Sequence, residues 1–126
     1  MAVAAFLAGC LGADEEPVPA GGAVRQVAGV VERLERATVD GAFGTVCDEL
    51  LTAAARERAG GDDCERMTRS AAAGIARPRI EIESIELRGE VARVAITTRA
   101  AGQAEVRDVL ELRREQGVWR VEALGN

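Results

Sequence analysis

The chain of 126 residues contains no His, no Tyr and no Lys, and only one Trp and two Phe. Without His and Tyr, the commonest general base, the commonest metal ligand and the usual phenolic acid are all missing. Any chemistry would have to rest on carboxylates, Arg and Cys. So few aromatics provide no platform for stacking bases. Long apolar runs are missing too: residues 1–9, MAVAAFLAG, fall well short of the roughly 20 residues that span a bilayer. An excess of base is also absent. The net charge is −5, from 21 acids against 16 bases, and the Arg residues are interleaved with Glu along the whole chain, which argues against a nucleic-acid partner. Ala supplies 24 of the apolar residues, and past Gly9 only 29 large apolar side chains remain. That is enough for one small core and one domain.

At Cys10 the apolar N-terminus gives way to the polar, acidic stretch LGADEEPVPAGG. Leu7-Ala8-Gly9-Cys10 resembles the lipobox of bacterial lipoproteins, in which small residues fit the signal peptidase and the Cys thiol receives the lipid. The resemblance implies that residues 1–9 are the truncated end of a lipoprotein signal whose basic start lies upstream. Cys10 would then be the lipidated first residue of the mature chain, attached to the membrane at an extracytoplasmic, cell-envelope address, each buried CH₂ contributing about 0.8 kcal/mol. Residues 10–22, with two Pro, three Gly and three consecutive acids, show no periodicity and read as a flexible acidic tether.

With Cys10 assigned, Cys47 and Cys64 form a pair with no odd thiol left over. In an oxidising compartment the pair is a disulfide; in a cytosolic protein it would be two separate buried thiols. No CxxC spacing and no His accompany them, so no metal site is expected. No cofactor motif is present either.

Residues 23–126 read as a single α+β domain. Val24, Val27, Val31, Leu34 and Thr38 recur at helical spacing, predicting a helix of about 17 residues that ends near Asp40-Gly41. A second helix carries Phe43, Val46, Cys47 and Leu50 on one face and continues through Thr52 to Ala59, where Gly60-Gly61 stops it. A third is predicted to start with an Asp62/Glu65 capping box, to turn Cys64, Met67 and Ala71 inward, and to run to about Gly74. Pro78 ends helical periodicity. Ile80 and Ile82 then alternate with one parity, Ile85 and Leu87 with the other, so a bulge near Ser84 is needed to keep all four on one side. Three more strands follow: Val91 to Arg99, a third with Val106, Asp108, Leu110 and Leu112 on one face, and Val118 to Ala123 with Trp119, Val121 and Ala123 pointing together.

Helices first, then a four-stranded meander closing on Gly117-Val118-Trp119-Arg120-Val121, resemble the cone-shaped nuclear transport factor and ketosteroid isomerase superfamily. More narrowly, they resemble small lipid-anchored actinobacterial proteins of that fold. The resemblance implies three helices packed on one face of a curved four-stranded antiparallel sheet. An early hairpin found in the larger enzymes is missing here.

The expected pocket on that sheet consists of Val94, Asp108, Leu110 and Trp119. Asp108 is the one polar residue on an otherwise apolar face, where an acid could act as a base or bind a cation, or simply lie solvated near a strand end. Lacking a second inward acid or hydroxyl, it does not form an acid–base pair, so no catalytic residue is expected. The leading reading is a non-enzymatic domain at the cell envelope that binds a small apolar ligand or a protein partner. The alternatives are a module that dimerises through its sheet and, last, an isomerase or hydrolase using Asp108.

Overall fold

The computed structural model describes residues 20–125. The lipobox-like Cys10 and most of the tether lie outside them. Helix α1 (Ala20–Asp40) begins earlier than its apolar periodicity indicates and takes in Gly21 and Gly22. Its buried side is Ala23, Val27, Val30, Val31 and Ala37, with Leu34 packed at the margin. Thr38 hydroxyl donates to Leu34 O at 2.8 Å.

The second helix is not continuous. A short α2 (Phe43–Thr45) runs into a π-turn over Val46–Leu50, the chain extends at Leu51, and α3 (Ala53–Arg58) starts afresh. Thr52 is the cause of the restart. Its hydroxyl accepts from Ala55 N–H at 3.0 Å, capping α3, and donates to Glu122 Oε1 at 2.8 Å, while its N–H donates to Val121 O. Leu51 thereby forms a parallel bridge with Val121. Gly60 and Gly61 both adopt positive φ, and a 3₁₀ turn (Gly61–Asp63) leads into α4 (Cys64–Ala72).

Two expectations for α4 fail. No capping box forms, because Glu65 pairs with Arg69 at 2.8 Å and Asp63 with Arg66 at 3.3 Å. Met67 and Ala71 are exposed; the face turned inward is Cys64, Thr68 and Ala72. The helix is phased by the buried cysteine at i, i+4, i+8 rather than by its largest apolar side chain.

Strands β1 (Arg79–Arg88), β2 (Val91–Arg99), β3 (Val106–Glu115) and β4 (Val118–Gly125) form one antiparallel sheet in chain order. In β1, Ile82 faces Ile96 and Ser84 faces Ala95, so Glu83 is the extra residue of a bulge. That bulge brings Ile80, Ile82, Ile85 and Leu87 to the helix side. A second bulge in β4 has no signature in the alternation. Leu112 pairs with Val121 but Glu111 with Ala123, so Glu122 is extra and Ala123 is turned away from Trp119 and Val121. The core lies between α1, the π-turn and the sheet, and includes Val27, Val31, Leu50, Val94 and Leu112, each nearly or wholly inaccessible. Helices packed on one face of a four-stranded antiparallel sheet make this an α+β fold.

Candidate functional site

The four residues expected to line a pocket are divided by the structure. Val94 and Leu110 are opposite each other on β2 and β3 and are 0 % and 4 % exposed, filled over by the helices. They belong to the packed core and offer no wall to a ligand. Asp108 lies opposite Ile96, one residue beyond the point where β4 last pairs with β3 at Val109 and Gly125, and is half-buried. It borders a shallow concavity with Glu83, Ala95, Ile96, Arg107 and Val109, apart from Val94, Leu110 and Trp119.

Trp119 is buried, with the Arg114 guanidinium 5.8 Å from its ring centre. Arg114 is held there by a two-pronged pair to Glu90, at 3.1 and 2.9 Å. That pair holds the Glu90 carboxyl below its ordinary range and raises Arg114. The indole also forms one wall of a shallow cleft of about 460 Å³ between α1 and the β3–β4 turn, lined by Gln26, Gly29, Val30, Arg33 and Val118.

Cys47 and Cys64 are joined, S–S 1.99 Å and Cα–Cα 6.1 Å, tying the π-turn to α4. Both are buried, and Thr68 hydroxyl lies 3.8 and 3.7 Å from their sulfurs. Among the described residues no group of three or more His, Cys, Asp or Glu side chains could hold a metal, and no helix is long and apolar enough to cross a membrane.

The more enclosed concavity is at the other end of the sheet. A cavity of about 320 Å³ is bounded by Glu35 and Thr38 of α1, Ile75 and Pro78 of the α4–β1 loop, the start of β1, the end of β2, and the β2–β3 turn with Ala104 and Val106. Its apolar wall is Ile75, Pro78, Ile80, Ala100, Ala104 and Val106. Loop and turn are fastened across the rim by Ala101 N–H to Ala76 O at 2.9 Å. Ile75 and Val106, 42 % and 49 % exposed, both border this cavity.

Glu35 is the one acid in this wall. Its Oε2 accepts Ile80 N–H at 2.6 Å, which satisfies the first core-facing amide of β1 and fixes the carboxylate against the cavity. In the sequence Glu35 reads as part of the solvated face of α1. Its only signal was its place one turn after Val31 and one before Thr38 and Val39, at the edge of the apolar stripe.

No family model and no curated protein matches the chain. Solved structures do resemble it, among them the following two. An NTF-2-like protein of unknown function from Silicibacter pomeroyi superposes with a TM-score of 0.66 at 18% identity, over 85% of this chain and 96% of that one. A de novo designed NTF2-fold protein superposes with a TM-score of 0.52 at 19% identity, over 85% and 87%. Together with the helices on a four-stranded antiparallel meander, these likenesses show that the chain has the nuclear transport factor 2-like fold.

Proposed function

We propose that this is a non-enzymatic binding domain that holds a small apolar ligand in the cavity at the end of the sheet, tethered through a lipidated Cys10 to the outer face of the cytoplasmic membrane. The observation that carries the reading is the cavity itself. At about 320 Å³ it falls within the size range of small-molecule sites, and like them it combines apolar walls, here Ile75, Pro78, Ile80, Ala100, Ala104 and Val106, with polar groups, among them Glu35, Thr38 and Gln103. Binding is favoured over catalysis because the wall carries a single carboxylate, Glu35, one of whose oxygens is committed to the backbone. An acid–base mechanism needs a second titratable group in reach.

Dimerisation through the sheet has less support. The face turned away from the helices is crossed by charge pairs, Arg99 to Glu81 at 3.5 Å and Glu111 to Arg93 and Arg113 at 3.9 and 3.5 Å, and a stable apolar interface would have to desolvate them. The extracytoplasmic address is supported by the Cys47–Cys64 bond, since disulfides persist in oxidising compartments.

Native mass spectrometry of the full-length protein, purified from its own membranes, tests the binding reading. We expect a low-mass apolar adduct that is lost in Ala104→Trp, a substitution at an exposed turn position that fills the cavity without touching the core. A ligand-free mass, or an adduct retained undiminished in the variant, would overturn it. For the anchor, Cys10→Ala should move the protein from the membrane fraction to the soluble fraction.

A further inference from the structure

The geometry points to a more specific ligand for this cavity: an apolar molecule carrying a protonated amine, its ammonium held by Glu35. The inference rests on the cavity reading above and adds the chemistry of the recognised group. Glu35 presents two carboxylate oxygens, and only Oε2 is used, by Ile80 N–H. Among the described residues no basic side chain forms an ion pair with Glu35, whereas Glu49, Glu81 and Glu90 are each paired with an Arg.

The two Arg residues at the cavity rim do not neutralise it. Arg79 and Arg99 are directly opposite each other in the β1–β2 ladder, on the face away from Ile80 and Thr98. Arg99 is moreover engaged by Glu81 and Glu105. The next polar group on the same helix face, Thr38 hydroxyl, has given its proton to Leu34 O, which leaves its oxygen able only to accept.

The wall contributed by α1 thus offers acceptors, a carboxylate oxygen and a hydroxyl oxygen one turn apart, beside the apolar Ile75, Ile80 and Val106, with Thr98, Gln103 and the two Arg also in the lining. A neutral apolar ligand would leave the second Glu35 oxygen without a donor. An ammonium supplies the missing donors and the opposite charge, and low local dielectric strengthens that pair. The volume sets the size, about a dozen non-hydrogen atoms, with the apolar body against Ile75, Ile80 and Val106.

Two isosteric probes, 1-adamantanamine and 1-adamantanol, separate the two readings by calorimetric titration of the full-length protein. We expect the amine to bind at least tenfold more tightly than the alcohol. In Glu35→Gln the amide oxygen can still accept Ile80 N–H, and the two probes should bind alike; in Glu35→Asp the preference should shrink. Both variants are checked for an unchanged circular dichroism spectrum. If the alcohol binds wild type as tightly as the amine, or if the preference survives in Glu35→Gln, the amine inference is wrong and the apolar cavity stands. If neither probe binds, both fail.

Discussion

The two ends of the sheet are made from the same three strands and are treated in opposite ways. Where β1 turns into β2, Leu87, Ala92 and Leu112 lie under the first half of α1, Trp119 closes the edge, and Arg114 with Glu90 covers the indole. Where β2 turns into β3, Glu35 and Thr38 from the second half of α1 face Ile75 and Val106 across the more enclosed cavity. A domain with so few large apolar side chains cannot fill both ends. One end carries a shallow cleft over a buried Trp119, the other the more enclosed cavity in which we propose a ligand sits.

The contrast is broken most directly at the filled end. Leu112→Ala, at a wholly buried position, should cost about 2–5 kcal/mol, read as a lowered urea midpoint. The disulfide ties α4 to the π-turn within the helical layer. Replacing Cys47 and Cys64 by Ala releases a 17-residue separation and should cost about 3 kcal/mol in the chain-entropy model. Of a typical 5–15 kcal/mol that is a large share, and a midpoint unchanged by the double substitution would show that packing alone holds the layer.

A smaller effect is expected at the joint between helices and β4. Thr52→Val removes the cap of α3 and the hydroxyl donated to Glu122, and should cost about 1–2 kcal/mol. The same joint gives the domain an acid-sensitive element. Thr52 hydroxyl, then Arg58, hold the Glu122 carboxyl below its ordinary range, against the opposing effect of burial. A carboxyl with a lower folded than unfolded pKa contributes stability above its unfolded value, near 4.5, and loses it as pH falls through the folded value. Stability of the wild type should therefore fall on acidification below about pH 4.5, and Glu122→Gln should flatten that part of the profile.

At the open end the expected effect on stability is the smallest. Val106→Ala removes a half-exposed side chain and should change stability by less than about 0.5 kcal/mol while widening the cavity mouth. A loss as large as that of Leu112→Ala would mean that the open end is part of the core after all.

Much of the fold was legible because the relevant forces are local. Pro78 and the shift from period 3.6 to period 2 located the boundary between helices and sheet, and the parity change from Ile82 to Ile85 located the β1 bulge. The Phe43, Val46, Cys47, Leu50 face was readable because four buried residues at helical spacing leave one phase. The β4 bulge was not, since Ala123 continues the alternation of Trp119 and Val121 and only the Thr52–Glu122 contact, 70 residues apart, shows Glu122 to be the extra residue. The phase of α4 was misread for a related reason. Met67 and Ala71 fit an apolar stripe as well as Thr68 and Ala72 do, until the partner of Cys64 fixes which way the helix turns.

The pocket shows the same division. Val94, Leu110 and Trp119 were recognisable as inward-facing, and inward-facing is all that alternation can say. Whether an inward face is filled or hollow depends on what is laid over it. By itself, then, the sequence determined the order of helices and strands, the inward face of most strand residues and the poverty of titratable groups, and it offered Cys47 and Cys64 as a disulfide or as two buried thiols, which the structure joins. Only the tertiary structure decided that the second half of α1 meets the β2–β3 end of the sheet and that Glu35 borders the cavity there. Burial is a property of the space between elements, and that space is fixed by contacts across the whole chain, such as Glu35 to Ile80, which no local pattern encodes.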